Sequence, residues 1–474
     1  MSDLEDLFVR AARAGARHRD TVGRRPVAGK ASREDAWAAF GDALPDGPTP
    51  ADRVVDELLA AAEGHLVGTV GPRHFGFVIG GSTPASAAAD ILAVGWDQNA
   101  FSAALSPAAE GAERAAGGWV KDLLGLPSSA SVGFVTGAQA ANTVGLACGR
   151  HWVLERAGHD VETDGLIGAP RVRVVGGFER HATIDRSLRL LGLGTASFVG
   201  VLTDDQGAID VDDLEVVLAQ EPERPAIVCL QAGNVNTGAS DAFARAVPMA
   251  KDAGAWVHVD GAFGLWAAAS PGRAHLMDGV DGADSWATDA HKWLNVPYDS
   301  GLAIVRDPAL HGRTMSYAAA YLTGSGGTEF SLGDLVPDSS RRARGFAVWA
   351  ALRELGRSGV ADLVERTCLL AGRMAERLAE GGATIANDVV LNQVLVGFGD
   401  VSLTDGSDGS RTDAIVAEVQ RDGTCWLGAT TWHDQRLIRV SVSNATTTEA
   451  DIDASAAAIL AAVARVGGGS DFSG

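Results

Sequence analysis

Lysine is nearly missing from this chain. Of its 39 basic residues only four, Lys30, Lys121, Lys251 and Lys292, are lysines. Arginine stays protonated, whereas a desolvated lysine can lose its proton and attack a carbonyl to form a Schiff base. Cysteine is scarce too: Cys148, Cys229, Cys368 and Cys425 lie far apart and form no CxxC. That usage fits a reduced cytoplasm and argues against a structural metal site. No apolar run reaches membrane-spanning length, and the acidic start Met1-Ser-Asp-Leu-Glu-Asp6 is unlike a signal peptide. Without a secretion signal, Asn444-Ala-Thr446 is a chance match to a glycosylation acceptor. Basic runs with interleaved aromatics are absent, and the formal charge is −21. Nucleic acid and anionic membrane surfaces are therefore not expected partners, because both need a basic footprint.

What is present is a chain of 474 residues, 46% hydrophobic, enough for one large core and a smaller one. Residues 1–83 read as a helical segment with helices at Leu4–Arg17, Arg33–Ala43 and Ala51–Leu66. The first two are too short and separated to form a core, so they are expected to wrap another surface, such as a second subunit. From Pro84 apolar helices alternate with β-branched runs at Ser131–Val135, Arg171–Gly176, Ala226–Gln231, Trp256–Asp260 and Leu302–Arg306. Alternation of this kind predicts an α/β domain over 84–355, with a mostly parallel sheet covered by helices on both faces. A small α+β domain is expected over 356–466, with strands near Val389–Val396 and Arg436–Val442, and a disordered tail over 467–474. The Gly-Ser-rich stretch Ala318–Leu332 reads as a mobile loop.

Four segments fall at strand ends, where open α/β sheets bind ligands. Val132-Gly-Phe-Val-Thr-Gly-Ala-Gln-Ala-Ala-Asn142 is a strand, a small-residue turn and a helix start, a geometry whose free amides accept phosphate. Gly176-Gly-Phe-Glu-Arg-His-Ala-Thr183 places His181 just past a strand. Gln231-Ala-Gly-Asn-Val-Asn-Thr-Gly238 is a polar turn at another strand end. His258-Val-Asp-Gly-Ala262 closes an apolar strand with Asp260, which should be ion-paired because burying a carboxylate alone is costly. Lys292 follows about thirty residues later in Asp289-Ala-His-Lys-Trp293; the other three lysines read as surface residues.

In this order the segments resemble the group II pyridoxal-phosphate-dependent amino-acid decarboxylases, of the aspartate-aminotransferase fold (fold type I). The resemblance runs from about Ala51 to Asp453. His74-Phe-Gly-Phe-Val-Ile-Gly-Gly-Ser82 looks like an early HPxFF-type segment, Ala104-Leu-Ser-Pro-Ala-Ala-Glu110 like an SPxxxxxE run, and Leu437-Ile-Arg-Val-Ser-Val-Ser-Asn444 like a closing LRVS-type strand. The resemblance implies a seven-stranded-type sheet, a homodimer and pyridoxal 5'-phosphate held on Lys292 as a Schiff base. It implies that Asp260 pairs with the ring nitrogen, that His181 stacks on the ring and Ala262 packs against its other face. It places Ala138, Gln139, Asp289 and His291 near the phosphate and Asn234 near the ring hydroxyl. Phe75, Phe77, Phe101, Phe330 and Arg439 become candidate substrate contacts, Phe101 across the subunit interface. Two positions depart from the pattern: Gln139 replaces a serine or threonine, and Asn234 stands where a threonine is usual. Asp289, near the phosphate, would repel it unless directed elsewhere.

The resemblance implies release of CO₂ from an L-amino acid to give an amine, with a tyrosine on the loop before Arg341-Arg342 as proton donor. This loop has none; Phe330 or Ser331 stands there, and Tyr317 and Tyr321 fall earlier. A decarboxylation-linked aldehyde synthase or a carbon–carbon lyase are the alternatives. The lyase needs cations for a substrate phosphate, for which Arg341, Arg342 and Arg344 are the available cluster.

Overall fold

The computed structural model describes residues 3–29, 32–41, 43–316, 331–399 and 409–467. Two compact units are present, one comprising Gly80–Ala371 with Asn387–Val394, the other Met1–Ile79, Gly372–Ala386 and Leu395–Gly474.

The first unit is built on seven strands: β1 (Ser131–Val135), β2 (Arg173–Gly177), β3 (Phe198–Val201), β4 (Ala226–Gln231), β5 (Trp256–Asp260), β6 (Ser285–Asp289) and β7 (Gly301–Val305). Their order is β1-β7-β6-β5-β4-β2-β3. β7 is antiparallel to both neighbours, and the other ladders are parallel. Six strands therefore end on one edge of the sheet, and β7 begins there. Every residue of β5, β6 and β7 is buried, as expected of strands covered on both faces. The expected α/β architecture is present, with two strands the hydrophobicity pattern did not announce. β3 is a half-buried edge strand, and β6 (Ser-Trp-Ala-Thr-Asp) lacks the β-branched run that marks its neighbours.

Helix Ala138–Arg156 crosses the sheet closely because two glycines face it. A Cβ on Gly145 would lie 2.5 Å from the His258 ring, and one on Gly149 2.7 Å from the Trp256 ring. The buried cluster around Leu146, Val174, Ile227 and Trp256 fills that interface. The Arg341 guanidinium is buried against Glu113 in a two-point ion pair, both bonds 2.7 Å.

In the second unit, β8 (Thr384–Ile385), β9 (Gln393–Gly397), β10 (Gly428–Trp432) and β11 (Gln435–Ser441) form a sheet of order β10-β11-β9-β8. Helices Gly409–Asp422 and Glu449–Gly467 belong to the same unit. So do the N-terminal helices Asp3–Val22, Arg33–Phe40 and Ala51–Ala62. Between them these three bury only Val22. The helix expected from Ala343 to Arg357 is one element, Gly345–Glu380, broken at Gly356, where φ is 62°.

Candidate active site

Sheet register assembles the site. Gly301 pairs with Val135 on one side and Asp289 on the other, so the turn after β1 meets the end of β6 across a single strand. The contact is backbone on backbone: a Cβ on Gly301 would stand 2.4 Å from the Gly137 Cα. Gly137 is less tightly confined: its own Cβ would meet the His291 ring at 3.0 Å and Asp289 Oδ1 at 3.3 Å, so those side chains would have to give by a few tenths of an ångström. At Gly301 a side chain would require the backbone to move.

Asp289 is the hub of this corner. Its Oδ1 accepts the Ala138 amide at 2.6 Å, and its Oδ2 lies 3.1 Å from Lys292 Nζ. His291 Nε2 stands 3.4 Å from Oδ1, while His291 Nδ1 accepts the Ser300 amide at 3.1 Å. A backbone N–H can only donate, so the His291 proton resides on Nε2, facing Asp289. Burial holds this imidazole below the ordinary histidine range. The repulsion that Asp289 would exert on a phosphate is thus met by an ammonium, a backbone amide and an imidazole N–H. Beyond Ala138, the first-turn amides of Gln139 and Ala140 have no acceptor inside the helix. The Gln139 side chain is engaged elsewhere, donating to Ser187 Oγ at 3.0 Å and to the Thr183 carbonyl at 3.3 Å. What Gln139 can offer an anion is its backbone.

Asp260 closes β5 and is 6% exposed. No cation among the described residues pairs with it, so the ion pair expected of Asp260 is left to the ring nitrogen that the resemblance assigns to it. Two long hydrogen bonds reach it, from Thr183 Oγ1 at 3.4 Å and from the Ala262 amide at 3.3 Å. A carboxylate desolvated with so little compensation costs several kcal/mol by order of magnitude. A cationic ring N–H is the group that would repay this, so the residues present fit the pyridinium of pyridoxal phosphate. Two buried hydroxyls near the same edge, Thr288 Oγ1 and Ser300 Oγ, also lack a hydrogen-bond partner.

His181 caps helix Ala182–Leu190: its Nδ1 accepts the Thr183 amide at 3.3 Å and touches Thr183 Oγ1 at 2.9 Å. Asn234 is committed to its own turn. Its Oδ1 accepts the Asn236 and Thr237 amides, and its Nδ2 donates to the Glu179 carbonyl at 3.1 Å and faces Gln231 Oε1 at 3.5 Å. The hydrogen bond expected from Asn234 to a ring hydroxyl would have to displace one of these donations. Ala262, half-buried, follows directly after β5.

The candidate substrate residues are dispersed. Phe101 is buried, and a Cβ on Gly333 would meet its ring at 2.2 Å. Phe75, Phe77 and Arg439 belong to the second unit. There Phe75 is 1% exposed while Phe77 is 65% exposed against Trp426, with ring centroids 5.3 Å apart. Phe330, Tyr317 and Tyr321 lie outside the described residues. The amide of Ser331 donates to Asp334 Oδ2 at 2.9 Å. Of the remaining lysines, Lys251 is exposed and Lys121 partly exposed, as surface settings imply, and each has a partner. Lys121 Nζ donates to the carbonyls of Ser128 and Ala130, at 2.6 and 2.5 Å, and Lys251 pairs with Asp284. Lys30 lies outside the described residues.

Several contributors carried no signal that reading the sequence could use. Gly301 gives no hint that it faces Gly137, and Tyr298, whose ring lies 4.4 Å from that of His291, resembles any surface aromatic. Burial and the Asp289 charge push its phenol up to about 12.

Comparison with known proteins bears on the family of the chain. An aromatic-L-amino-acid decarboxylase of Bacillus atrophaeus is 26% identical over 388 residues, 80% of this chain and 78% of that protein. A phenylacetaldehyde synthase of a Rosa hybrid cultivar is 25% identical over 65% of this chain and 63% of its own. Among solved structures, Oryza sativa TDC with PLP and tryptamine superposes with a TM-score of 0.90 at 21% identity, covering 98% of each chain. A 4-hydroxyphenylacetaldehyde synthase of Rhodiola rosea gives 0.86 at 21% identity and the same coverage. The family model described as the pyridoxal-dependent decarboxylase conserved domain matches residues 37–398, and this chain belongs to that family.

Proposed function

We propose that the chain decarboxylates an L-amino acid with an apolar or aromatic side chain at its α-carbon, with pyridoxal phosphate on Lys292, and that it works as a homodimer in the cytoplasm. The observation that carries the reading is Asp260, a buried carboxylate at a strand end without a cation of its own, on the same edge as Lys292. The cofactor, when bound, supplies an electron sink for the pair released as CO₂ departs. The protein residues do the rest. Asp289 Oδ2 holds the Lys292 amine at the strand end, and Asp260 would keep the ring nitrogen protonated. His181 would stack on the ring and hold its plane, so that the scissile carboxylate bond stands perpendicular to it. The amides of Gln139 and Ala140 would take the phosphate.

Among the relatives several are decarboxylases of aromatic amino acids and two are aldehyde synthases, while others are named for acidic amino acids or diaminobutyrate; the aromatic reading leans on the first group. The lyase alternative loses its cations, because each arginine of the cluster is already paired: Arg341 with Glu113, Arg342 with Asp90 at 2.6 Å, and Arg344 with Asp299 at 2.9 Å. The aldehyde outcome keeps one supporting observation, the loop without tyrosine. In that outcome the amino acid, O₂ and water give aldehyde, CO₂, ammonia and hydrogen peroxide. The four cysteines are free and buried, in keeping with a reducing compartment. No helix among the described residues is long and apolar enough to cross a membrane.

The test is to screen the common amino acids for CO₂ release in air and quantify amine, aldehyde and peroxide. Amine from tryptophan, tyrosine or phenylalanine is expected. CO₂ release confined to acidic or basic substrates would reject the side-chain preference, and no CO₂ from any amino acid would reject the reaction.

A further inference from the structure

His181 is the end of a chain of hydrogen bonds that begins well inside the core. The Trp256 Nε1–H donates to Ser285 Oγ at 3.0 Å, and Ser285 Oγ lies 2.8 Å from His258 Nδ1. His258 Nε2 lies 2.9 Å from Asn142 Oδ1, and Asn142 Nδ2 donates to Thr183 Oγ1 at 3.1 Å. Thr183 Oγ1 then reaches His181 Nδ1 at 2.9 Å and Asp260 Oδ2 at 3.4 Å. Ser285, His258 and Asn142 are fully buried. The gap that admits the His258–Ser285 pair is Gly145, whose Cβ would stand 3.1 Å from Ser285 Oγ.

The direction of this chain is fixed at both ends. An indole N–H only donates, so at one end Ser285 accepts and its own hydrogen is available to His258 Nδ1. His258 then carries its proton on Nε2 and donates to Asn142, whose amide donates to Thr183. At the other end the Thr183 backbone N–H donates to His181 Nδ1. The reverse direction would leave the Ser285 hydrogen without an acceptor among the described residues and point a His181 Nδ1–H at a backbone N–H. Both ends agree. Whether the Thr183 hydroxyl gives its hydrogen to His181 or to Asp260, His181 Nδ1 remains the lone-pair nitrogen. The buried His258 has its pKa pushed down to about 4, so the chain's middle stays neutral at physiological pH.

We propose that the Trp256–Ser285–His258–Asn142–Thr183 chain holds His181 as the neutral Nε2–H tautomer, making it a hydrogen-bond donor toward the reacting group and not the acid that replaces CO₂ with a proton. A neutral imidazole that gave up its Nε2 proton would become an imidazolate, and protonating Nδ1 first would cost the helix cap that the Thr183 backbone N–H makes with it. The positive N-terminal end of helix Ala182–Leu190 opposes the imidazolium as well. Thr183 is then a positioning residue: one hydroxyl touches both His181 and the Asp260 carboxylate. The proton for the α-carbon must come from another group or from water. The proposal rests on the decarboxylase reading for what His181 faces, but the tautomer is a property of the chain alone.

The experiment labels the histidines of the cofactor-free protein with ¹⁵N and assigns His181 by its disappearance in His181→Gln. The expected ring has a pyridine-like Nδ1 and a protonated Nε2 near neutral pH. A protonated Nδ1, alone or together with Nε2, would overturn the proposal whatever the enzyme does. Thr183→Val should blur that pattern into a mixture of tautomers and lower kcat about tenfold with little change in KM, and Thr183→Ser should restore both. A Thr183→Val protein with the wild-type ring pattern and rate would remove Thr183 from the role. If valine prevents folding, Trp256→Phe, which removes only the first donor, should still loosen the pattern; an unchanged ring there would show that the far end does not set the direction. Loss of decarboxylase activity with the Nε2–H pattern intact would count against the functional reading and leave the tautomer standing.

Discussion

The strand-end edge of the large sheet and the N-terminal helices solve opposite problems. At the edge, Asp260 and Asp289 are 6% and 2% exposed. Asp289 has a partner for each oxygen, while Asp260 has no cation among the described residues and the hydroxyls of Thr288 and Ser300 have no hydrogen-bond partner. In the three N-terminal helices it is apolar faces that go uncovered. Leu4, Phe8, Trp37, Phe40 and Leu58 are each at least half exposed. Apolar burial contributes roughly 25 cal/mol per Å², so leaving such side chains in water forfeits most of what those helices could contribute to stability. One region is organised around a charge that the chain itself does not neutralise, the other around apolar faces that the single chain does not cover. The first fits the cofactor of this family, and the second fits the homodimer proposed above.

The largest expected effect lies at the edge. Lys292→Ala should abolish turnover and the visible absorbance of bound cofactor, and Lys292→Arg should do the same because a guanidinium cannot form the Schiff base. Retention of full activity by either would end the comparison at its first term. Asp260→Asn comes next. If charge matters more than shape, rate should fall about a hundredfold, equivalent to ~2.7 kcal/mol of barrier, with cofactor bound more weakly. A near-normal rate with asparagine would mean that Asp260 is buried for packing and not for a ring nitrogen.

How much of this was legible beforehand differs between the same two regions. The lysine count narrows the candidates to four, and the strand-end setting Asp289-Ala-His-Lys-Trp293 sets Lys292 apart from the other three. Asp260 is legible as an acid ending an apolar strand. Its lack of a partner is not, since the absence of a cation depends on which side chains the sheet register brings near. β6 was invisible to periodicity because Ser285 and Thr288 sit among its buried positions, and with it went the route by which Asp289 reaches the Ala138 amide. Asn234 shows the converse: its residue type suits a donor to a ring, and only the turn geometry reveals that the amide is already engaged. The N-terminal helices were predicted to within a few residues, since amphipathic periodicity survives whatever packs against it. What they pack against is not written in them.

That second term is tested by self-association. Phe8→Glu together with Leu58→Glu should raise the dimer dissociation constant by about a hundredfold, since two apolar contacts contribute ~3 kcal/mol when buried. The substitutions should leave the Asp260 and Lys292 chemistry untouched in whatever dimer remains. Sedimentation showing wild-type chains active as monomers at assay concentration would sink the idea that the exposed faces are an interface.

The smallest effect returns to the edge and concerns pH. Burial pushes His258 down to about 4, against an ordinary value of about 6.5 in the unfolded chain. A base whose folded pKa is depressed is neutral in the fold while the unfolded chain binds the proton. Its contribution is therefore fully present above pH ~6.5 and is lost as pH falls toward 4, at most ~3 kcal/mol over that span. His74 and His311, also pushed down to about 4 by burial, act in the same direction. Asp241, pushed up to about 6, runs the other way: between roughly pH 4 and 6 the fold keeps a proton that the unfolded chain has released, so this one group loses stability as pH rises. Asp90 and Glu113, raised by burial, act with Asp241, and His18 and His291 are lowered like the other three histidines. Five lowered histidines against three raised carboxyls leave a net acid sensitivity. Denaturant melts of His258→Asn across this range should start from lower stability but fall less steeply with acid, by close to one proton. An unchanged slope would mean that His258 is already protonated in the fold, and the neutral hydrogen-bond chain leading to His181 would fail with it.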